Sequence, residues 1–361
     1  MVLALGAALL VVLGLALFFP FGARPVRREA SAPRAAEERP EGRVRTVFLP
    51  ACDGTRLEGW LFTPRRAGRA PLVLMAPGLT GTKEGPVERF AWRFASEGLA
   101  VLAIDFRSFG GSDGEPRHHV DPFRQVEDYA AAISFAREAL RDDAEVDPTR
   151  IALWGSSFSG GVAIALACER GDVAALVAQA PFLATPESQR PGPLRMAAYV
   201  AATVLDLSRA RLGAALGIAL PPVYLPAFGV PGEFAFATSR ENPSLRDPSR
   251  RGAAFWSELP EPLRGGWGNA LLARFLADFD RFQPLEGISR LHCPVMLVAA
   301  AHDDLVPRAQ VEQAFARIPH GDKRLLVHDC AHFDLYTDPC FEPNASAQAR
   351  FLIEALSRDA G

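Results

Sequence analysis

The residues best suited to chemistry lie in Ile151-Ala152-Leu153-Trp154-Gly155-Ser156-Ser157-Phe158-Ser159-Gly160-Gly161, where a short apolar run enters a turn of small residues and leaves it with helical spacing. A serine at the apex of such a strand-turn-helix presents its hydroxyl from a strained backbone, and small neighbours let the helix pack close to the strand. Against the pattern G-x-S-x-G, Ser157 takes the nucleophile position, Gly155 the first glycine, and Ser159 stands compactly where the last glycine would be. A Gly/Ser-rich structural turn is the competing reading, but it requires neither the strand before nor the helix after.

A serine hydroxyl is a weak nucleophile at neutral pH and needs a base within hydrogen-bond reach, oriented in turn by an acid. In an α/β fold that carries its serine on such a strand-to-helix turn, the chain order is nucleophile, acid, base. The apolar run from Val295 ends in Ala301-His302-Asp303-Asp304-Leu305-Val306-Pro307, and Asp303 is taken as the acid. Asp304 ranks second, because spacing does not separate adjacent loop carboxylates. Pro307 already suits a helix start, which weakens a mere capping role for either. His332, in Cys330-Ala331-His332-Phe333-Asp334, follows the last expected strand and precedes the last expected helix, where the base belongs. His328 ranks second, at the strand end; His118, His119, His292, His302 and His320 fit the order or the context less well.

The oxyanion of an acyl-transfer intermediate needs preorganised donors. The backbone N–H of Phe158, directly after the nucleophile, supplies one; Leu79, in Ala76-Pro77-Gly78-Leu79-Thr80-Gly81-Thr82, supplies the second, with Gly78 permitting the turn. Acyl transfer of this kind requires no cofactor, and the chain contains neither GxxxxGK[ST] nor HExxH.

These residues need a scaffold. Val44–Leu49 and Leu57–Thr63, separated by Cys52-Asp53-Gly54-Thr55, predict an antiparallel hairpin. Strands are then expected at Leu72–Ala76, Ala100–Ile104, Ile151–Trp154, Ala174–Gln179, Pro294–Val298 and Arg324–Val327. Helices are expected at Val87–Ser96, Pro122–Leu140, Phe158–Glu169, Arg308–Arg317 and Ser346–Leu356. This alternation predicts an α/β fold whose mostly parallel central sheet carries helices on both faces. Residues 182–285 break the rhythm with Pro, Gly, Arg and aromatics and an apolar helical stretch around Met196 to Leu220; they read as a mainly helical cap over the carboxyl edge of the sheet. The core is then 43–181 with 286–361.

The 361 residues are 49% hydrophobic and carry a net charge of -3, with 39 Lys and Arg against 42 Asp and Glu. No basic stripe or acidic block points to nucleic acid. The five cysteines are scattered without CxxC spacing and read mostly as apolar fillers; Cys330 and Cys340, flanking His332, read as free thiols. From Val2 to Phe19 every residue is apolar or glycine, so residues 1–22 are expected to form an N-terminal transmembrane anchor, followed by a flexible linker over 23–42. Arg24, Arg27 and Arg28 follow the apolar run and none precedes it, which places the folded part on the cytoplasmic side. A cleaved signal leading to secretion or the periplasm is the alternative; its best small-x-small site, Ala30-Ser31-Ala32, lies beyond those arginines.

Ala76-Pro77-Gly78-Leu79-Thr80-Gly81-Thr82-Lys83, Asp105-Phe106-Arg107-Ser108-Phe109-Gly110-Gly111-Ser112-Asp113-Gly114, the Gly155–Gly161 turn and Ala331-His332-Phe333-Asp334 together resemble bacterial α/β-hydrolases of the esterase and serine-aminopeptidase-like kind. The resemblance spans roughly 43–357 and implies a Ser157-Asp303-His332 triad with oxyanion donors at Leu79 and Phe158. Pro77 before Gly78 departs from the commoner His-Gly motif, leaving the backbone donor but removing a side-chain contact. Asp105 and Arg107 read as structural. The expected function is hydrolysis of a small-molecule carboxylic ester, lipid-like if the anchor and the apolar cap around Tyr199, Leu205 and Leu212 act together. A prolyl or X-prolyl peptidase is one alternative, because Asp53-Gly54-Thr55-Arg56-Leu57-Glu58-Gly59-Trp60 also resembles that branch. A membrane-tethered binding protein on a hydrolase scaffold is the other. Acyl and alcohol specificity and oligomeric state are not written in these residues.

Overall fold

The computed structural model describes residues 37–229, 234–239 and 269–357. The expected anchor, most of the expected linker, and 230–233 and 240–268 of the expected cap lie outside the described residues. Among the described residues no helix is long and apolar enough to cross a membrane.

The first strand pair begins inside the stretch expected to be linker: β1 (Glu37–Arg39) runs antiparallel to β2 (Gly42–Pro50). Main-chain bonds to β2 hold it, with Arg39 3.6 Å from Glu88 and over the Trp92 ring at 4.5 Å and Glu38 3.3 Å from Arg65; its own side chains are all charged, so hydrophobic periodicity carries no trace of it. The predicted hairpin follows, with β3 (Arg56–Pro64) antiparallel to β2. Asp53 closes its turn by accepting from the Thr55 N–H at 3.1 Å.

From here the chain alternates strand and helix: β4 (Ala70–Ala76), α1 (Pro86–Ser96), β5 (Ala100–Ile104), α2 (Pro122–Ala139), β6 (Val146–Ser156), α3 (Phe158–Glu169) and β7 (Ala175–Gln179). After the cap come β12 (Val295–Ala300), α5 (Arg308–Arg317), β13 (Lys323–His328) and α6 (Phe341–Leu356), with the described residues of the cap supplying α4 (Pro193–Leu216) and four short strands, β8 (Tyr224–Pro226), β9 (Phe228–Gly229), β10 (Ala237–Thr238) and β11 (Ala270–Leu272). The central sheet has the order β1-β2-β3-β5-β4-β6-β7-β12-β13, and from β5 to β13 every neighbouring pair is parallel. Many expected core boundaries shift by one or two residues; the large shifts are in β6, which starts at Val146 instead of Ile151, and in the last helix, which starts at Phe341 instead of Ser346.

Successive residues of β4 face opposite sides of the sheet. Leu72 and Leu74 pack with Tyr129, Ile133, Val162 and Ile164 under α2 and α3, whereas Val73 and Met75 pack with Phe90, Phe94, Phe351 and Leu352 under α1 and α6. Both faces are thus dry, and because the strands from β5 onward are parallel, all their carboxyl ends open on one edge.

The cap sits on that edge. Its helix α4 stops at Leu216, ahead of the expected Leu220. None of the four short cap strands joins the central sheet; they form two separate ribbons, β8 with β11 and β9 with β10. Core and cap are bonded directly: the Leu272 N–H donates to the His118 carbonyl at 3.0 Å, and the Tyr224 hydroxyl donates to the Arg117 carbonyl at 3.1 Å.

Candidate active site

At the end of β6 the backbone turns through Ser157 with φ 56° and ψ −120°, a region that non-glycine residues rarely occupy. The turn is held from both sides. The Ser157 N–H donates to the Gln179 carbonyl at 2.8 Å, and the Ser157 carbonyl accepts from the Phe182 N–H at 2.8 Å. The residue standing for the pattern's last glycine is bonded into this turn as well. Ser159 Oγ accepts from the Ser156 N–H at 2.9 Å and donates to the Ala76 carbonyl at 2.7 Å, tying the turn to the end of β4. Ser159 is fully buried, so a glycine here would leave that carbonyl without its donor.

The loop after β4 lies directly against the turn. A Cβ on Gly78 would come within 3.2 Å of Ser157 Cβ and 3.1 Å of the Ser156 carbonyl, so this close approach admits only glycine without displacement. Leu79, next in the chain, and Phe158, the first residue of α3, both line the cavity that Ser157 opens into. The first N–H groups of a helix have no partner within it, which leaves the Phe158 N–H at a helix end for an external acceptor.

Beyond β12 and β13 the two loops meet. His332 Nδ1 is 2.6 Å from Asp303 Oδ2, and the Leu305 and Val306 N–H groups donate to Asp303 Oδ1 at 2.9 and 2.7 Å. Both side chains are buried, the carboxylate completely. The structure also separates the two adjacent carboxylates: Asp304 faces the cap, accepting from Ser239 Oγ at 2.6 Å. His328 ends β13 with an Nε2 that has no hydrogen-bond partner among the described residues. His302 is on the surface against Asp329, at 2.8 Å, and His118 holds the Ala270 carbonyl of a cap ribbon at 3.0 Å.

The cavity above Ser157 has a volume of about 340 Å³. Its walls come from the core (Leu79, Phe158, Leu305, Val306), from α4 (Met196, Tyr199, Val200, Val204) and from aromatic side chains that the sequence reading missed, Phe182, Phe228, Phe236 and Phe279. Phe182 lies 5.4 Å from Phe158 and 4.9 Å from Phe279, and Phe236 lies 4.9 Å from Phe279, measured between ring centroids. Of the three cap residues singled out in the sequence, Tyr199 lines the cavity, Leu205 packs behind it, and Leu212 is not among the lining residues.

Beneath the loop of Leu79 lies a buried ion cluster. Lys83 Nζ is 2.5 Å from Asp105 Oδ2 and 2.8 Å from Glu58 Oε1, with all three side chains essentially out of water. The glycine pair in Phe109-Gly110-Gly111 makes room for it, since a Cβ on Gly111 would lie 2.2 Å from a Glu58 oxygen. Arg107 is bonded to the buried Asp128 at 2.6 Å and to Asp53 at 2.7 Å. Asp105 and Arg107 thus belong to ion clusters within the core.

Glu84 adjoins the Lys83 cluster, and its carboxyl is pushed up to about 7, first by burial and next by the charge of Asp105. The folded protein therefore holds that proton more tightly than the unfolded chain, and Glu84 costs stability progressively as pH rises from 4.5 through 7. Glu84→Gln is expected to melt with the wild type near pH 4.5 and about 2–4 °C above it at pH 8. A pH-independent difference in melting temperature would contradict this.

Comparison with known proteins agrees with this architecture. Residues 69–339 match the family model described as serine aminopeptidase, S33. The chain is 29% identical to the quorum-quenching protein AidA of Acinetobacter baumannii, over 82% of this chain and 90% of that one. It is likewise 29% identical to the thiohydrolase aneE of Aspergillus aculeatus, over 84% and 91%. The crystal structure of the α/β-hydrolase GrgF from Penicillium superposes with a TM-score of 0.71 at 24% identity, covering 87% of this chain and 99% of that one. The parallel sheet with helices on both faces, the strained serine turn after β6 and the match over 69–339 make the chain a member of the serine aminopeptidase S33 family of α/β-hydrolases.

Proposed function

We propose that the protein is a serine hydrolase that cleaves carboxylic esters through an acyl-enzyme, with Ser157 as nucleophile, His332 as base and Asp303 as the acid that orients it. The observation that carries this reading is the 2.6 Å contact between Asp303 and His332, buried at the sheet edge on which Ser157 also stands. Asp303, held by two backbone N–H groups, accepts from the His332 Nδ1–H and so fixes the tautomer whose Nε2 is free to take the Ser157 hydroxyl proton. Attack on the acyl carbon generates an oxyanion received by the N–H groups of Leu79 and Phe158. His332 returns the proton to the leaving alcohol and then activates water, which releases the acid and restores Ser157.

The aromatic and aliphatic walls fit an apolar acyl group. The name of the thiohydrolase relative supports a second substrate in the same site, a thioester, because acylation of a serine is the same step with a thiol leaving. A peptide amine is served less well: the acidic side chain among the described lining residues, Asp280, is exposed, so an ammonium held there would remain hydrated. The apolar run Val2–Phe19 supports a membrane tether with the hydrolase on the cytoplasmic side, a proposal resting on the sequence alone.

The test is turnover of p-nitrophenyl esters of increasing acyl length. Each methylene buried in the cavity is expected to raise kcat/KM about fourfold, until the cavity is filled and the gain stops. A folded protein inert to every ester and thioester would favour the binding-protein reading.

A further inference from the structure

Behind the serine turn, on the face of the sheet covered by α6, six polar side chains are sealed in an otherwise apolar layer. Gln179 at the end of β7 and Asn344 and Gln348 on α6 have no exposed surface, and Ser156 is 1% exposed. Such groups are costly to bury unless each finds its partners, and here their partners form one chain of bonds. Trp154 Nε1 donates to Gln348 Oε1 at 2.6 Å; Gln348 Nε2 and Asn344 Nδ2 donate to Gln179 Oε1 at 2.8 and 2.6 Å; Gln179 Nε2 donates to Ser156 Oγ at 3.0 Å. Ser156 Oγ meets the Tyr336 hydroxyl at 2.5 Å.

The two ends of this chain matter because of where they sit. Ser156 precedes Ser157, and the Ser157 N–H is itself bonded to the Gln179 carbonyl. Tyr336 closes the single helical turn Phe333–Tyr336 that begins at His332, and Asn344 Nδ2 also donates to the Leu335 carbonyl of that turn at 3.2 Å. Burial pushes the Tyr336 phenol up to about 12, so it stays neutral and able to donate throughout the working pH range.

We infer that Tyr336 is a positioning residue, which through its hydrogen bond to Ser156 Oγ sets the position of the His332 turn relative to the Ser157 turn. The inference rests on the triad reading above. An apolar layer would pack these elements as firmly but would not fix one registration between them, whereas a short hydrogen bond does, and reacting groups tolerate misplacement poorly.

The test compares Tyr336→Phe, Ser156→Ala and the double variant with the wild type, all as full chains. Steady-state hydrolysis of a p-nitrophenyl ester is normalised to active sites titrated by the p-nitrophenol burst. Each single variant is expected to lose about tenfold in kcat per titrated site, with KM within twofold of the wild type. The double variant is expected to lose no more than the worse single one, because both remove the same bond. If Tyr336→Phe does not fold, Ser156→Ala carries the same expectation alone. A variant that melts lower but keeps wild-type kcat per site would reduce the bond to a structural one and overturn the inference, as would losses that multiply in the double variant. An inert wild type would sink the triad reading itself, a separate failure.

Discussion

Replacing Ser157 with alanine is expected to abolish labelling by a fluorophosphonate and to lower ester turnover by a factor on the order of 10⁴ or more, with the melting temperature of the protein essentially retained. The size of the loss follows from the division of labour in the site. In the proposed mechanism Asp303 and His332 act only through the serine, so without its hydroxyl His332 has no proton to take, and what survives is substrate binding and whatever the oxyanion donors offer to attacking water. The two neighbouring serines are poor substitutes. Ser156 Oγ is engaged by Gln179 and Tyr336 on the far side of the sheet, and Ser159 Oγ donates to the Ala76 carbonyl. Both point into buried bonds that they would have to break before reaching an acyl group. Labelling that persisted in Ser157→Ala would therefore move the nucleophile outside this turn altogether, and mass spectrometry of the labelled peptide would say where.

How much of this was legible beforehand depends on what kind of signal each feature leaves. Helices bounded by strong punctuation were legible to the residue: α3 begins directly after the strained serine, and α5 directly after Pro307. The last helix starts five residues before its expected position because Pro343, which reads as a break, falls in its first turn, where a missing N–H costs nothing. β6 is longer than its apolar run, since Val146 and Asp147 pair with Ala70 and Pro71 across a register shift that periodicity does not reveal. The cap ribbons are too short, at two or three residues, to carry a period at all. In the site, the order Ser157, Asp303, His332 is a property of the sequence, but that Asp303 turns toward His332 while Asp304 turns toward Ser239 is visible only in the fold. The aromatic walls were invisible for another reason: Phe182, Phe236 and Phe279 are far apart in the chain, and only the fold of the cap brings their rings together.

Of the cluster of Lys83, Asp105 and Glu58 only Asp105 read as structural in the sequence, because charged residues otherwise read as surface until a structure buries them, and breaking the cluster carries the largest expected effect on stability. In Lys83→Met the side-chain volume is nearly kept, and the methionine would still reach toward Trp60, over whose ring the ammonium now lies at 4.9 Å. What is lost is the cation that Asp105 and Glu58 share, and these carboxylates are almost completely buried. Breaking a buried pair from one side costs about 3–5 kcal/mol, since the remaining charges must be neutralised or drawn into water. Melting is accordingly expected at least about 6 °C below the wild type. The loss should also reach the chemistry, because Asp105 Oδ1 accepts from the Lys83 N–H at 2.6 Å and so anchors the loop that carries Leu79. Adding Asp105→Asn to Lys83→Met removes one of the two stranded charges, and the double variant is expected to melt above Lys83→Met alone. If it melts lower, the carboxylate is holding the loop through its backbone bonds to Lys83 and Gly111 more than through the ammonium, and the cluster is better described as a hydrogen-bonded anchor than as an ion pair.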